Sequence, residues 1–290
     1  MKWLLDILRG MVIGLANVIP GVSGGTMMVS MGIYDKIIWS INNLLKKFRE
    51  CIRVLWPYLL GMVLAIALGS IGLKAAFGNF PLPTNALFIG LILGSLPFIL
   101  KEMKGEKIGW QGALVFAALF ALVVVLKVIE KENTTTISLS VGEVIKLFLM
   151  GAVSSATMVI PGVSGSMILK TLGYYEPIVT GAIPDLLHGI TQGAGDVILH
   201  NIGILLPFLL GIVFGIFAIA KLIAFLMKKW KGRTYCGILG MVAASPVVIL
   251  MDKSIYEGFN VWICAAAVAA LSLGVFVAMK LGGDPETAKE

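Results

Sequence analysis

Charged side chains divide this chain into long silent stretches. No Asp, Glu, Lys or Arg occurs within 10–34, 54–73, 75–100, 108–126, 147–169, 201–220, 234–251 or 258–279. Most of these runs match the roughly 20 apolar residues that a helix needs to cross a hydrocarbon core. The pattern predicts an all-α polytopic membrane protein. One polar stretch, 170–200, holds Glu176, Pro177, Asp185, His188, Asp196 and His200 between two apolar runs. It reads as an outward-facing loop with one or two short amphipathic helices at the interface. The basic stretch 35–53 suits the opposite, cytoplasmic face beside anionic headgroups.

The pattern also repeats. Residues 19–38, IPGVSGGTMMVSMGIYDKII, align without gaps on 160–179, IPGVSGSMILKTLGYYEPIV; nine of the twenty positions are identical, and Asp35 falls on Glu176. Further along, Pro57 and Gly61 face Pro207 and Gly211, and Pro97 faces Pro246. The chain therefore reads as two homologous halves, 1–140 and 141–290, in one integral membrane domain, with Asn-Thr-Thr-Thr at 133–136 as the linker. Each half holds one glycine-interrupted segment, about 10–34 and about 147–175, followed by three plain apolar helices.

The lysines and arginines decide whether the interrupted segments cross. If they cross, the halves are parallel and the 23 basic residues split 13 to 10 between the faces. If they enter and leave on one side, the split becomes 17 to 6, the bias an oriented membrane protein shows. The expected fold is thus two inverted-topology repeats, each one re-entrant helical hairpin plus three transmembrane helices, with both termini cytoplasmic.

Composition adds exclusions. Apolar residues make up 58% and charged residues 13%, about half the roughly 25% of a soluble domain. The net charge of +7 follows from the inside-positive bias, and no basic face or motif points to nucleic acid. Cys51, Cys236 and Cys264 are scattered and odd in number, so neither a disulfide framework nor a metal site is expected, and no cofactor. Lys2, Asp6 and Arg9 precede the first apolar run and no small-residue cleavage site follows, so a removable signal peptide is not expected.

The interrupted segments carry the candidate chemistry. A Pro-Gly-x-Ser-Gly run breaks a helix, because proline removes a donor and glycine tolerates positive φ. Irregular backbone at membrane depth is tolerated where it is buried in protein or lines a wet cavity. A helix restarting after the break points free N–H groups into that cavity, a site suited to an anion such as phosphate. The donors would be the amides of Gly24, Gly25, Gly165 and Ser166, with the hydroxyls of Ser23, Thr26, Ser164 and Ser166. Two other readings stay open: unwound carbonyls can bind sodium or protons, and small residues can simply let helices approach. Asp35 and Glu176 follow the breaks at the same interval; each is a proton or cation site, or a cap or interfacial carboxylate. Arg9 and Lys170 flank the breaks and could neutralise an anionic headgroup, or snorkel to the lipid surface.

An enzyme is not expected. GVSG at 21–24 and 162–165 fits an intramembrane serine protease, but that chemistry needs a histidine in the bilayer, and His188 and His200 lie in the polar stretch. No Walker-A lysine and no HExxH occurs.

GLANVIPGVSGGT at 14–26, GIYDKII at 32–38 and MVIPGVSGSMILKTLGYYEPIV at 158–179 resemble the bacterial and archaeal polyprenyl-phosphate transporter family, over nearly the whole chain. The resemblance implies an undecaprenyl phosphate translocase of the plasma membrane, returning the carrier headgroup from the outer to the cytoplasmic leaflet for reuse in cell-envelope synthesis; proton uptake by Asp35 or Glu176 would drive the return. Its partners would be the polyprenyl phosphate lipid and the bilayer, a homo-oligomer being compatible with the same pattern. The rival reading is a secondary transporter or channel for a small soluble anion, using the same breaks.

Overall fold

The computed structural model describes residues 2–18, 23–106, 108–129, 135, 137–256 and 260–281. Among them every regular element is helical. In chain order these are α1 (Lys2–Val18), α2 (Gly24–Ser30), α3 (Tyr34–Asn43), α4 (Phe48–Asn79), α5 (Pro81–Glu102), α6 (Trp110–Val128), α7 (Val141–Val159) and α8 (Gly165–Thr171). A π-helical turn (Glu176–Ala182), α9 (Ile183–Gln192), α10 (Gly195–Leu250), a 3-10 turn (Lys253–Tyr256) and α11 (Val261–Leu281) complete the chain.

α5, α6, α7, α10 and α11 are long and apolar enough to cross a membrane. At 1.5 Å per residue α10 would run about 84 Å, far beyond one crossing. It is broken at Trp230, where φ −141° and ψ 54° leave the helical region and separate two arms. The outer surface is apolar, as a lipid-facing one must be: Leu114, Leu122 and Val125 on α6 and Trp262, Val268 and Phe276 on α11 are exposed.

The long helices pack through glycines at which a side chain would strike the neighbouring backbone. In α1 against α4, a Cβ at Gly10 would overlap the Tyr58 carbonyl, and one at Gly61 the Ile7 carbonyl. In α7 against α10, Gly151 meets Phe208 and Gly211 meets Phe148 in the same way. The remaining long contacts pass between the chain's two parts. α11 lies on α5, where Gly90 meets Leu271 and Gly274 meets Leu87. α6 lies on the second arm of α10, where Gly240 meets Phe116.

Several helices begin before the charge-free runs that predicted them. α1 starts at Lys2 because its charges are paired: Asp6 accepts from the Tyr58 hydroxyl at 2.7 Å and lies 3.2 Å from Arg9 and 3.7 Å from Lys36. α7 starts at Val141, where the Ser140 hydroxyl caps the Glu143 amide. Glu143 itself is buried, accepting from the Tyr174 hydroxyl at 2.7 Å and from Lys146 at 3.2 Å. Of the linker 133–136, only Thr135 is among the described residues, its N–H donating to the Gly173 carbonyl. Within 170–200, the π-helical turn and the amphipathic α9 occupy 176–192, and α10 begins at Gly195, so Asp196 and His200 lie in its first turns.

Candidate functional site

The short helices that follow the two breaks are built alike. Ser23 and Ser164 are the N-caps of α2 and α8, both extended, with φ/ψ of −105°/133° and −92°/127°. Each short helix has seven residues and ends on a left-handed glycine, Gly32 at φ 65° and Gly173 at φ 81°. Both ends close with the same pair of bonds. Ile33 N–H donates to Met28 and Gly32 N–H to Val29; Tyr174 N–H donates to Leu169 and Gly173 N–H to Lys170. This is the Schellman arrangement, which uses a glycine to satisfy the last carbonyls. Pro20 and Gly21 of the first motif lie outside the described residues.

The breaks meet inside the protein. The Ser23 hydroxyl donates to the Ile160 carbonyl at 3.1 Å, and the Gly162 N–H donates to the Thr26 hydroxyl at 2.7 Å. Gly25 lies against the chain at Val159–Pro161, where a Cβ would come 2.5 Å from the Val159 oxygen. Ser23, Thr26 and all of α2 are buried. Gly162 has φ 82° and faces the Met241 carbonyl, so only glycine suits it.

The donors of the two breaks are differently engaged. Gly24 N–H donates to Asn17 Oδ1 at 3.1 Å, and Gly25 N–H to the Ser23 hydroxyl at 3.2 Å. Ser164 makes no such cap; its hydroxyl lies 2.8 Å from that of Ser166. Gly165 packs on α7, its carbonyl accepting from the Ser154 hydroxyl at 3.4 Å. Lys170, on α8, places its ammonium 5.4 Å from the centre of the Tyr175 ring. Arg9 lies beside Asp6, eight residues before Asn17 on α1 and so about 12 Å along the helix from it.

Asp35 and Glu176, equivalent in the alignment, sit in different elements. Asp35 is in the first turn of α3 and accepts from the Tyr235 hydroxyl, on the second arm of α10, at 2.8 Å. The residue is exposed, yet the protein around it desolvates the carboxyl and raises its pKa. The Tyr235 bond and Lys231 oppose that rise, while Glu102 adds to it. Glu176 is exposed and opens the π-helical turn. Sequence reading passed over Asn17, Tyr235, Glu143 and the Asp6–Tyr58 pair. The available signal was polar residues inside or at the edges of apolar helices, which need partners.

The undecaprenyl phosphate translocase-like family described as VCA0040-like matches residues 13–263, a span that includes both breaks. The chain belongs to this family. A polyprenyl-phosphate transporter of Staphylococcus aureus is 30% identical over 290 residues, covering 97% of this chain and 96% of that protein. A polyprenyl-phosphate transporter of Vibrio cholerae is 29% identical over 257 residues, covering 83% of this chain and 76% of the relative. No solved structure matches the chain. Within the translocase-like family this chain is thus a helical protein whose two motif copies each lead into a seven-residue helix and contact each other.

Proposed function

We propose that this chain transports polyprenyl phosphate, carrying the headgroup from the outer to the cytoplasmic leaflet of the plasma membrane in an ion-coupled cycle. The observation that carries the reading is the meeting of the two breaks, tied by Ser23 to Ile160 and by Gly162 to Thr26. A headgroup seated there would touch both motif copies. Together with family membership, this favours a site built from both.

The physical demand is desolvation. Burying an isolated ion in hydrocarbon costs of order 20 kcal/mol before relaxation. The amides of Gly24, Gly25, Gly165 and Ser166, with the hydroxyls of Ser23, Thr26, Ser164 and Ser166, supply neutral donors in place of water. Asn17 and Ser23 hold the first pair of amides oriented until the phosphate replaces them. Lys170 contributes charge beside the second break, and Arg9 stays with Asp6 at the far end of α1. The polyprenyl tail remains in lipid. Two inverted repeats, each with a re-entrant hairpin, would then rock to open the site to either face. Asp35 or Glu176 takes up the coupling proton.

The test uses liposomes containing trace polyprenyl phosphate. It follows the protection of outer-leaflet headgroups from a membrane-impermeant phosphatase. Ser164→Ala with Ser166→Ala removes two hydroxyls without adding volume. We expect protection with the unaltered protein, a loss of tenfold or more in the double variant, and no movement of a bulk anionic phospholipid. No protection above empty liposomes, with or without a pH gradient, would refute lipid transport; small-anion flux in the same vesicles would then establish the rival.

A further inference from the structure

Tyr34 is the first residue of α3, two positions beyond the left-handed Gly32 that ends α2. Its side chain is 4% exposed and packs in the central apolar cluster with residues such as Met27, Ile92 and Val242. Among the described residues, its hydroxyl is the one buried side-chain polar atom with no hydrogen-bond partner. Such a group is costly in an apolar interior, and native proteins keep few of them. The hydroxyl lies within electrostatic reach of the Asp35 carboxylate and the Tyr235 hydroxyl, yet those two bond each other.

The second motif copy has no such orphan. There the aligned residue is Tyr175, and the Lys170 ammonium covers its ring. The residue aligned with Lys170 in the first copy is Val29, buried and apolar. So one copy carries a cation beside its tyrosine, and the other carries a phenol with a proton to donate. A neutral donor at the start of α3, in a protein proposed to carry an anion, has an obvious acceptor class.

We propose that the Tyr34 hydroxyl is a substrate donor: it finds no acceptor within the protein and donates to an anionic phosphate oxygen of the bound ligand. The inference rests on the transport reading for the ligand's identity, since a lipid headgroup and a free phosphate present the same oxygens. The titratable groups beside the Tyr34 hydroxyl are the Asp35 carboxyl and the Tyr235 phenol, while Glu102 and Lys231 act on Asp35. Among them the phenol adds a hydrogen bond without adding charge.

The test compares the full chain with Tyr34→Phe, which keeps the ring and deletes only the hydroxyl. Binding is measured in nanodiscs with undecaprenyl phosphate in one arm and inorganic phosphate in the other, and thermal unfolding is followed without ligand. The expected result is a melting temperature equal to or above that of the unaltered protein, and lipid affinity at least tenfold weaker. A carbon-13 label on the tyrosine ring carbon bearing the hydroxyl gives a second readout: the Tyr34 signal should shift when lipid is added to the unaltered protein. Unchanged lipid affinity and an unmoved Tyr34 signal would overturn the proposal. If the unaltered protein binds inorganic phosphate but not the lipid, and Tyr34→Phe loses that binding, the donor stands and lipid transport falls. If the unaltered protein binds neither, both fall.

Discussion

Thr26 shows what one side chain does at the junction of the two breaks. Its hydroxyl accepts the Gly162 N–H at 2.7 Å, and both groups are buried. Thr26→Val keeps the shape and leaves that amide unpaired, a loss of about 1–3 kcal/mol. Thr26→Ser keeps the acceptor and should restore most of it. Thermal unfolding in detergent checks the pair, and equal melting of the two variants would refute the role. Asp35 carries a pH-dependent prediction. Its carboxyl pKa is raised by desolvation, so between the ordinary carboxylate range and the raised value the folded state holds more protons than the unfolded one. The contribution to stability is therefore present at low pH and lost as pH rises through that window. Asp35→Asn keeps an acceptor for Tyr235 and removes the charge. It should melt above the unaltered protein at neutral pH, with the gap closing toward acid; a gap independent of pH would contradict the assignment. The repeat marks Ser23, Gly24 and Gly25 beside Ser164, Gly165 and Ser166 as candidates, whereas Thr26 aligns with Met167. It could not expose Asn17 or Ile160 as partners, because one is an amide seven residues upstream and the other a backbone carbonyl.

At the scale of elements, hydrophobic periodicity located the long helices well and their ends poorly. A run without charge marks where a helix must be in lipid, but α1 and α7 continue beyond it because their charges find partners. Glu143 is the clearest case: a carboxylate in the first turn of α7 is buried because Tyr174 and Lys146 bond it. The short helices were equally hard to foresee. α2 and α8 stop after seven residues because Gly32 and Gly173 turn left-handed, which the sequence marks only as two glycines among many. The α7 anchor can be tested as a cycle. Glu143→Leu leaves the Tyr174 hydroxyl without its acceptor and should cost about 1–3 kcal/mol. Adding Tyr174→Phe removes that orphan, so the double variant should recover much of the loss. Strictly additive effects would show that the bond contributes little to holding α7 against the segment after α8.

At the scale of the whole molecule, the decisive feature is exchange. The last long helix of each part of the chain lies on a helix of the other: α6 on the second arm of α10, and α11 on α5. These contacts run through Gly240, Gly90 and Gly274, which bring backbones together with no side chain between them. Neither part can therefore complete its packing alone, although the sequence reads as two homologous halves. Nothing in the repeat announces this, since self-alignment shows which residues correspond and not which of them touch. The proposed rocking would have to leave α6 and α11 seated on these seams while the contacts at Ser23 and Thr26 change. Cutting the chain between Asn133 and Thr134 tests the arrangement. Expressed together, the two fragments should copurify and melt as one unit. Expressed singly, each should aggregate or be degraded, because the backbone faces of α5 and α6 in one, and of α10 and α11 in the other, lose their partners. A single fragment that stays monodisperse and melts like the full chain would mean that the exchanged seams contribute little to the fold.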